Sequence, residues 1–191
     1  MIYTIGHSNH PIGQFIGLLR RHGIEALADV RSTPFSRFNP QFNRERLAAE
    51  LRSAGIHYVF LGTELGARSK DPDCYEGGRV SYAKLARTEA FRRGLQRLQS
   101  GIAEHRIALM CAEREPLDCH RTILIARELD RAGIPMTHIL ADGSLETQAQ
   151  VMERLVAHLQ LGDADLFASA AQRLEAAYEL QGRKMAFAPK H

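Results

Sequence analysis

Five short apolar runs, each followed by a segment of different periodicity, constrain this chain more than any other feature. They lie at residues 2–5 (IYTI), 24–30 (IEALADV), 57–61 (HYVFL), 106–111 (RIALMC) and 136–140 (MTHIL). Runs of this length between turn residues read as buried strands. Helical faces intervene: Ile12, Phe15, Ile16 and Leu19; then Leu47, Leu51 and Ala54; then Phe91, Leu95 and Leu98; then a helix expected from about Cys119 to Ala132. Pro11 suits a first helical turn, with Ser8 or Asn9 as its cap. Asn43, Ser81 and Thr88 are further helix starts, and Gly23, Gly55, Gly101 and Gly133 are stops.

Strand and helix alternating in this way imply a mostly parallel sheet covered on both faces. Five strands are too few for an eight-stranded barrel. The expected fold is an open, mostly parallel five-stranded α/β sheet in three layers, plus C-terminal helices. Residues 1–145 form the expected α/β domain, and residues 146–191 a helical extension that packs on it or on a partner subunit. In that extension Val151, Leu155 and Leu159 suggest one helix. A break follows at Leu161-Gly162-Asp163, and Phe167, Ala171, Leu174 and Tyr178 suggest a second helix. The last ten residues are expected to fray.

Composition excludes several classes. With 45% hydrophobic and 25% charged residues over 191 positions, the chain reads as an ordinary globular protein. No apolar run has the length of a membrane span, and the N-terminus does not read as a secretory signal. A cytoplasmic location is expected. A net charge of +3 is too small to declare a nucleic-acid binder without a located patch. Three cysteines make no disulfide framework.

In open parallel sheets, ligands bind beyond the carboxyl ends of the strands. The residues that follow those ends are Gly6, His7, Ser8 and Asn9; Asp29, Arg31, Ser32 and Arg37; Gly62, Thr63, Glu64 and Arg68; Cys111, Glu113, Cys119, His120 and Arg121; and Asp142 and Ser144. His7 is a candidate base, ligand or anion contact, or simply a loop hydrogen bonder. Asp29 and Arg31 either form an ion pair or leave the Arg31 fork free for a carboxylate or phosphate. Phe35, Phe38 and Phe42 read as anchors of the 31–43 loop. Glu64 is a candidate acid or base, whereas Cys74, in a hydrophilic loop, reads as incidental.

The stretch LMCAEREPLDCHR (109–121) carries the chemistry. Cys111 ends a buried strand, and Cys119 and His120 open a helix, where free N–H groups and the dipole favour a thiolate. Three readings stay open. One cysteine attacks an anionic substrate; the cysteines, His120 and His7 bind zinc or iron; or the cysteines form a reversible disulfide. The layout has a general likeness to phosphatase and sulfur-transfer loops, but its cysteine-to-arginine spacing is longer. The cysteines also stand eight apart, unlike the tight pairs of structural zinc sites, so an unmetallated site is the preferred expectation.

TIGHSN, DVRSTPFSRFNPQFN, LGTELG and LMCAE…CHR, in that order from residue 2 to about 140, resemble the domain of unknown function 488 family. The resemblance implies a small bacterial or archaeal cytosolic protein of no assigned activity. It also implies that Gly6, His7, Ser8, Asp29, Arg31, Pro34, Gly62, Glu64, Cys111, Glu113, Cys119, His120 and Arg121 matter together. The expected function is an enzyme acting on a phosphate-bearing nucleotide or nucleic-acid substrate. Cys111 or Cys119 serves as thiol, His7 or His120 as acid/base with Glu64 a further candidate, and Arg31 and Arg121 as anion holders. Gly6, Ser8, Asp29, Arg37 and Glu113 complete the expected binding set. The alternative is a nucleic-acid- or metal-binding module without catalysis. No membrane partner is expected, and a homo-oligomer would form through the C-terminal helices.

Overall fold

The computed structural model describes residues 2–161 and 168–189. Five parallel strands form where the apolar runs predict them: β1 (Ile2–Gly6), β2 (Ala26–Asp29), β3 (His57–Phe60), then, after a small hairpin of β4 (Tyr75–Glu76) and β5 (Arg79–Val80), β6 (Ile107–Cys111) and β7 (Met136–Ile139). A sixth, β8 (Leu145–Thr147), pairs antiparallel with β7, so the sheet runs β3-β2-β6-β1-β7-β8. The Ala141-Asp142-Gly143 turn was legible, but the strand after it is three residues long and half polar, below the length at which alternation is informative. The β4–β5 hairpin turns on Gly77 and Gly78, both at positive φ, the conformation a two-residue hairpin loop requires.

The order places β6 between β2 and β1, at the centre. Strand alternation then divides the core. Leu27, Ala108, Met110 and Ile5 face α1 (Ile12–Arg21) and α2 (Arg44–Ser53). Ala26, Ala28, Ile107, Leu109 and Cys111 share the other core with the remaining long helices. Short α3 (Gly62–Leu65) and α4 (Tyr82–Ala86) lead to α5 (Glu89–Glu104) on that side. A π-helical segment, Arg121–Ala126, continues into α6 (Arg127–Arg131). Thr88 caps α5 through its side chain, as the sequence predicts. Ser8 and Asn9 do not cap α1, and Asn43 does not cap α2: its Oδ1 instead accepts from the Ser36 N–H at 2.7 Å, closing the 31–43 loop.

Two C-terminal helices, α7 (Gln148–His158) and α8 (Ala170–Met185), bury Val151, Leu155, Ala177 and Tyr178 in the same core as Cys111. A buried polar chain fastens them to the sheet. Thr4 Oγ1 meets His138 Nδ1 at 2.7 Å, His138 Nε2 meets Gln148 Oε1 at 2.7 Å, and Gln148 Nε2 donates to Tyr178 Oη at 2.8 Å. The expected fraying begins too early: α8 continues to Met185, and Phe187 O accepts from Val80 N at 2.9 Å. The predicted break at Gly162-Asp163 and helical Phe167 lie outside the described residues. No helix among the described residues is long and apolar enough to cross a membrane.

Candidate active site

The ends of the three central strands meet because of register. Gly6 stands opposite Cys111, and Asp29 opposite Met110. Beyond β1 the backbone continues the pairing, with His7 N and Ser8 N donating to Cys111 O and Ala112 O. A Cβ on Gly6 would lie 1.9 Å from Glu113 O, so only glycine lets the loop after Cys111 cross β1 this closely. Gly6→Ala should cost about 1–3 kcal/mol through overpacking. A urea midpoint checks this, and an unchanged midpoint would deny the close crossing.

The Asp29–Arg31 pair is internal. Arg31 Nε and Nη2 fork onto both Asp29 oxygens at 2.9 and 2.6 Å, and Nη2 also donates to Phe42 O. Tyr58 Oη donates to Asp29 Oδ2 at 2.7 Å. The fork expected to hold a substrate anion is therefore taken up by Asp29. Burial works against the Arg31 charge, but the hydrogen bonds and charge of Asp29 outweigh it and raise its pKa.

His7 is likewise engaged. Its Nδ1 lies 2.8 Å from Ser8 O and must carry the proton, leaving Nε2 to accept from Arg31 Nη1 at 3.2 Å. Burial lowers its pKa to about 4, and the ring stacks on Phe42 at 4.3 Å. A neutral ring with both nitrogens occupied is not a free base.

His120 is arranged differently. Its Nε2 lies 3.1 Å from the Val30 carbonyl, which can only accept, so the proton is on Nε2. Nδ1 then faces Cys111 Sγ at 3.5 Å and Cys119 Sγ at 3.9 Å. Both sulfurs are buried, Cys111 at 3% and Cys119 at 1% exposure. Cys119 O accepts from Thr122 N and Ile123 N, so this thiol sits at the helix entry that the sequence predicts. Residues Pro116–Asp118 form a separate short 3₁₀ turn just before it.

The electrostatics favour one negative sulfur. Burial opposes charge on Cys119, yet the hydrogen bond from Cys111, the Arg121 charge and His120 pull its pKa well down. The Cys119 hydrogen bond, with burial, pushes Cys111 well up. The two steps belong to the pair: one proton leaves readily and the second is held. Burial depresses His120, but the hydrogen bond to Cys119 more than compensates, so its pKa rises and the imidazolium is favoured.

Arg121 explains its own burial by this charge. It is 0% exposed, and Nη1 and Nη2 hold the carbonyls of Glu113 and Arg114 at 2.7 and 3.3 Å. Among the described residues no carboxylate lies within ion-pair distance of it. It fixes the loop and supplies positive charge to the sulfurs from behind, instead of facing a substrate.

A cavity of about 600 Å³ opens over the cluster. Buried Cys111, His120, His7 and Arg31 line it, together with Ser8, Ser32, Ser36, Asn39 and the acidic Glu113 and Asp118. Exposed Arg68, stacked 4.9 Å above Phe187, joins Met185, Phe187, Phe35 and Tyr82 in the remaining wall. Phe187 and Met185 come from the segment expected to fray, and the Val30 carbonyl is backbone, so neither carries a sequence signal for this role. Glu64 is absent from the cavity lining and pairs with Arg97. Arg37 is exposed and turned onto Phe38. Of the loop phenylalanines only Phe42 is an anchor; Phe35 and Phe38 are 62% and 87% exposed. Cys74 is buried, because its loop folds onto the core.

Cys111 Sγ, Cys119 Sγ and His120 Nδ1 lie within 4.8 Å of one another, close enough to share a soft cation such as zinc. His7 does not belong to that group. Of the two chemistries this donor set allows, thiol attack and metal capture, both use the same atoms.

Residues 11–127 match the family model described as Domain of unknown function DUF488. The chain belongs to the DUF488 family. The match spans α1 to the start of α6 and so includes Asp29, Arg31, both site cysteines and His120; Gly6, His7 and the C-terminal helices fall outside it. No curated protein matches this DUF488 member. Among solved structures, "Putative phosphatase (DUF442)" from Shewanella putrefaciens CN-32 is 9% identical, with a TM-score of 0.37 over 94% of this chain and 87% of that one. So loose a likeness says nothing of this chain's fold or activity.

Proposed function

We propose that this protein is a thiol enzyme. Cys111 is the nucleophile at the cavity: it ionises by passing its proton to Cys119 Sγ, which carries the resting negative charge of the pair, and His120, its ring held by the Val30 carbonyl, balances that charge through Nδ1. The observation that carries the reading is His120: one nitrogen is fixed by a backbone acceptor while the other faces the cavity-lining sulfur of Cys111, 3.5 Å away. An imidazolium fixed by a third group beside a thiol pair favours loss of the first proton, the general way a cysteine nucleophile is activated. Arg121 and the helix entry stabilise the thiolate.

The substrate is an anion of modest size that enters past the Phe35 and Phe187 wall. Arg68 is the exposed cation lining the cavity, so it replaces Arg31 and Arg121 as the anion contact. Phosphate-bearing nucleotides fit this description, with aromatic rings for a base and a guanidinium for a phosphate.

Iodoacetamide labelling with peptide mapping tests the reading. Trypsin separates Cys111 in residues 107–114 from Cys119 in residues 115–121. At neutral pH Cys111 should label first. His120→Ala should slow it roughly tenfold or more, since an unassisted thiol is only a few per cent ionised there. Labelling no faster than that of free cysteine would overturn the proposal. Stoichiometric zinc in the purified protein, with labelling blocked until chelator is added, would favour the binding-only alternative.

A further inference from the structure

Attack by one thiol on a phosphate or carbonyl does not need a second thiol behind it. Here the second one is built in. Cys119 Sγ lies within 4.8 Å of Cys111 Sγ and, unlike Cys111, is not among the residues that line the cavity. A disulfide between them requires the sulfurs to close to a bonded distance of about 2.05 Å. Cys119 also has its own proton acceptor: Glu113 turns Oε2 onto its sulfur at 3.1 Å. His120 Nδ1 faces both sulfurs, and Glu113 Oε2 stands beside Cys119.

We infer that the two cysteines act in sequence on a sulfur–sulfur bond, with Cys111 as attacking thiol, Cys119 as resolving thiol and Glu113 as its proton acceptor. This rests on the thiol-enzyme reading and names its electrophile as a low-molecular-weight anionic disulfide. The Cys111 thiolate attacks one sulfur of the disulfide; a Cys111–sulfur bond forms, the substrate S–S bond breaks, and the first thiolate leaves. Cys119, having taken up the Cys111 proton in the first step, passes it to Glu113 and attacks Cys111 Sγ, expelling the second thiolate. The net change is a two-electron oxidation of the protein pair to a Cys111–Cys119 disulfide and reduction of the substrate to two thiols. A dithiol reductant reverses it. The second attack is intramolecular, so it outruns release of the adduct by external thiols.

The probe is 5,5′-dithiobis(2-nitrobenzoate), an aromatic anionic disulfide suited to the Phe35, Phe187 and Arg68 wall. With metal-free full-length protein in excess over probe, each probe should release two nitrothiobenzoate anions. The protein should lose the mass of two hydrogens, and residues 107–114 should be recovered cross-linked to 115–121. Cys119→Ser should stop at one release and keep a stable adduct on Cys111. Glu113→Gln should slow the second release and leave the first unchanged, a split that a purely structural role for Glu113 would not give. A wild-type protein that retains the aromatic adduct without cross-linking overturns the inference. If iodoacetamide still labels Cys111 selectively in that protein, the thiol-enzyme reading survives the failure; if no thiol reacts fast, both fall. The wild-type mass alone decides the matter where a serine variant does not fold.

Discussion

Acid should unfold this protein early, with stability falling by about 3 kcal/mol between pH 6.5 and 5. Two buried histidines carry the effect. Burial lowers both His7 and His138 from the ordinary 6.5 to about 4. His7 keeps its lone pair on Arg31, and His138 is enclosed between Thr4 and Gln148. Above pH 6.5 each is neutral whether folded or unfolded, and neither contributes a slope. Between 6.5 and 4 the unfolded chain takes up protons that the folded chain refuses, so stability falls as pH falls. The full loss is about 3 kcal/mol per histidine once the pH is below 4. His120 is shifted the other way: the folded chain takes up its proton first, so its opposing slope lies mainly above pH 6.5 and fades below it. Urea midpoints at the two pH values check the total, and His138→Gln should remove roughly half the slope. A flat profile in wild type would mean that the rings are solvated.

Removing Asp29 should be as costly. Its two oxygens receive the Arg31 fork, the Arg31 N–H and the Tyr58 hydroxyl, and the carboxylate is 0% exposed. Asp29→Ala leaves the Arg31 guanidinium buried with no counter-charge. Breaking one side of a buried pair in this way costs about 3–5 kcal/mol. Arg31 also anchors Phe42 and His7, so the 31–43 loop, which lines the cavity, should loosen with it. Chemical denaturation measures the loss, and protease cleavage within residues 31–43 measures the loosening. A loss below about 1 kcal/mol, the size of an exposed pair, would contradict the burial argument.

Much of the fold was legible because alternating apolar runs and helical faces depend on local periodicity. Leu109 and Met110 declare a buried strand whatever surrounds them. Strand order is not local: β6 enters between β2 and β1 through pairings more than eighty residues apart, such as Ala26 with Ile107. The candidate site was legible as a set, since strand ends in a parallel sheet share one edge. Individual roles were not. Arg31 and Arg121 have the residue type of anion holders, yet both are committed inside the protein, to Asp29 and to two loop carbonyls. Which partner a guanidinium takes is decided by three-dimensional proximity. Val30 contributes only its carbonyl, and a backbone atom leaves no mark on residue type. Phe187 lines the cavity because α8 delivers it there, although the last ten residues read as a frayed end.

Ultraviolet titration of thiolate in metal-free protein, with wild type beside His120→Ala, bears most directly on the catalytic reading. The wild type should show one thiolate forming well below the ordinary value of about 8.5, and the variant should lose that early step. A first thiolate that appears in the wild type only at or above that value would contradict the account.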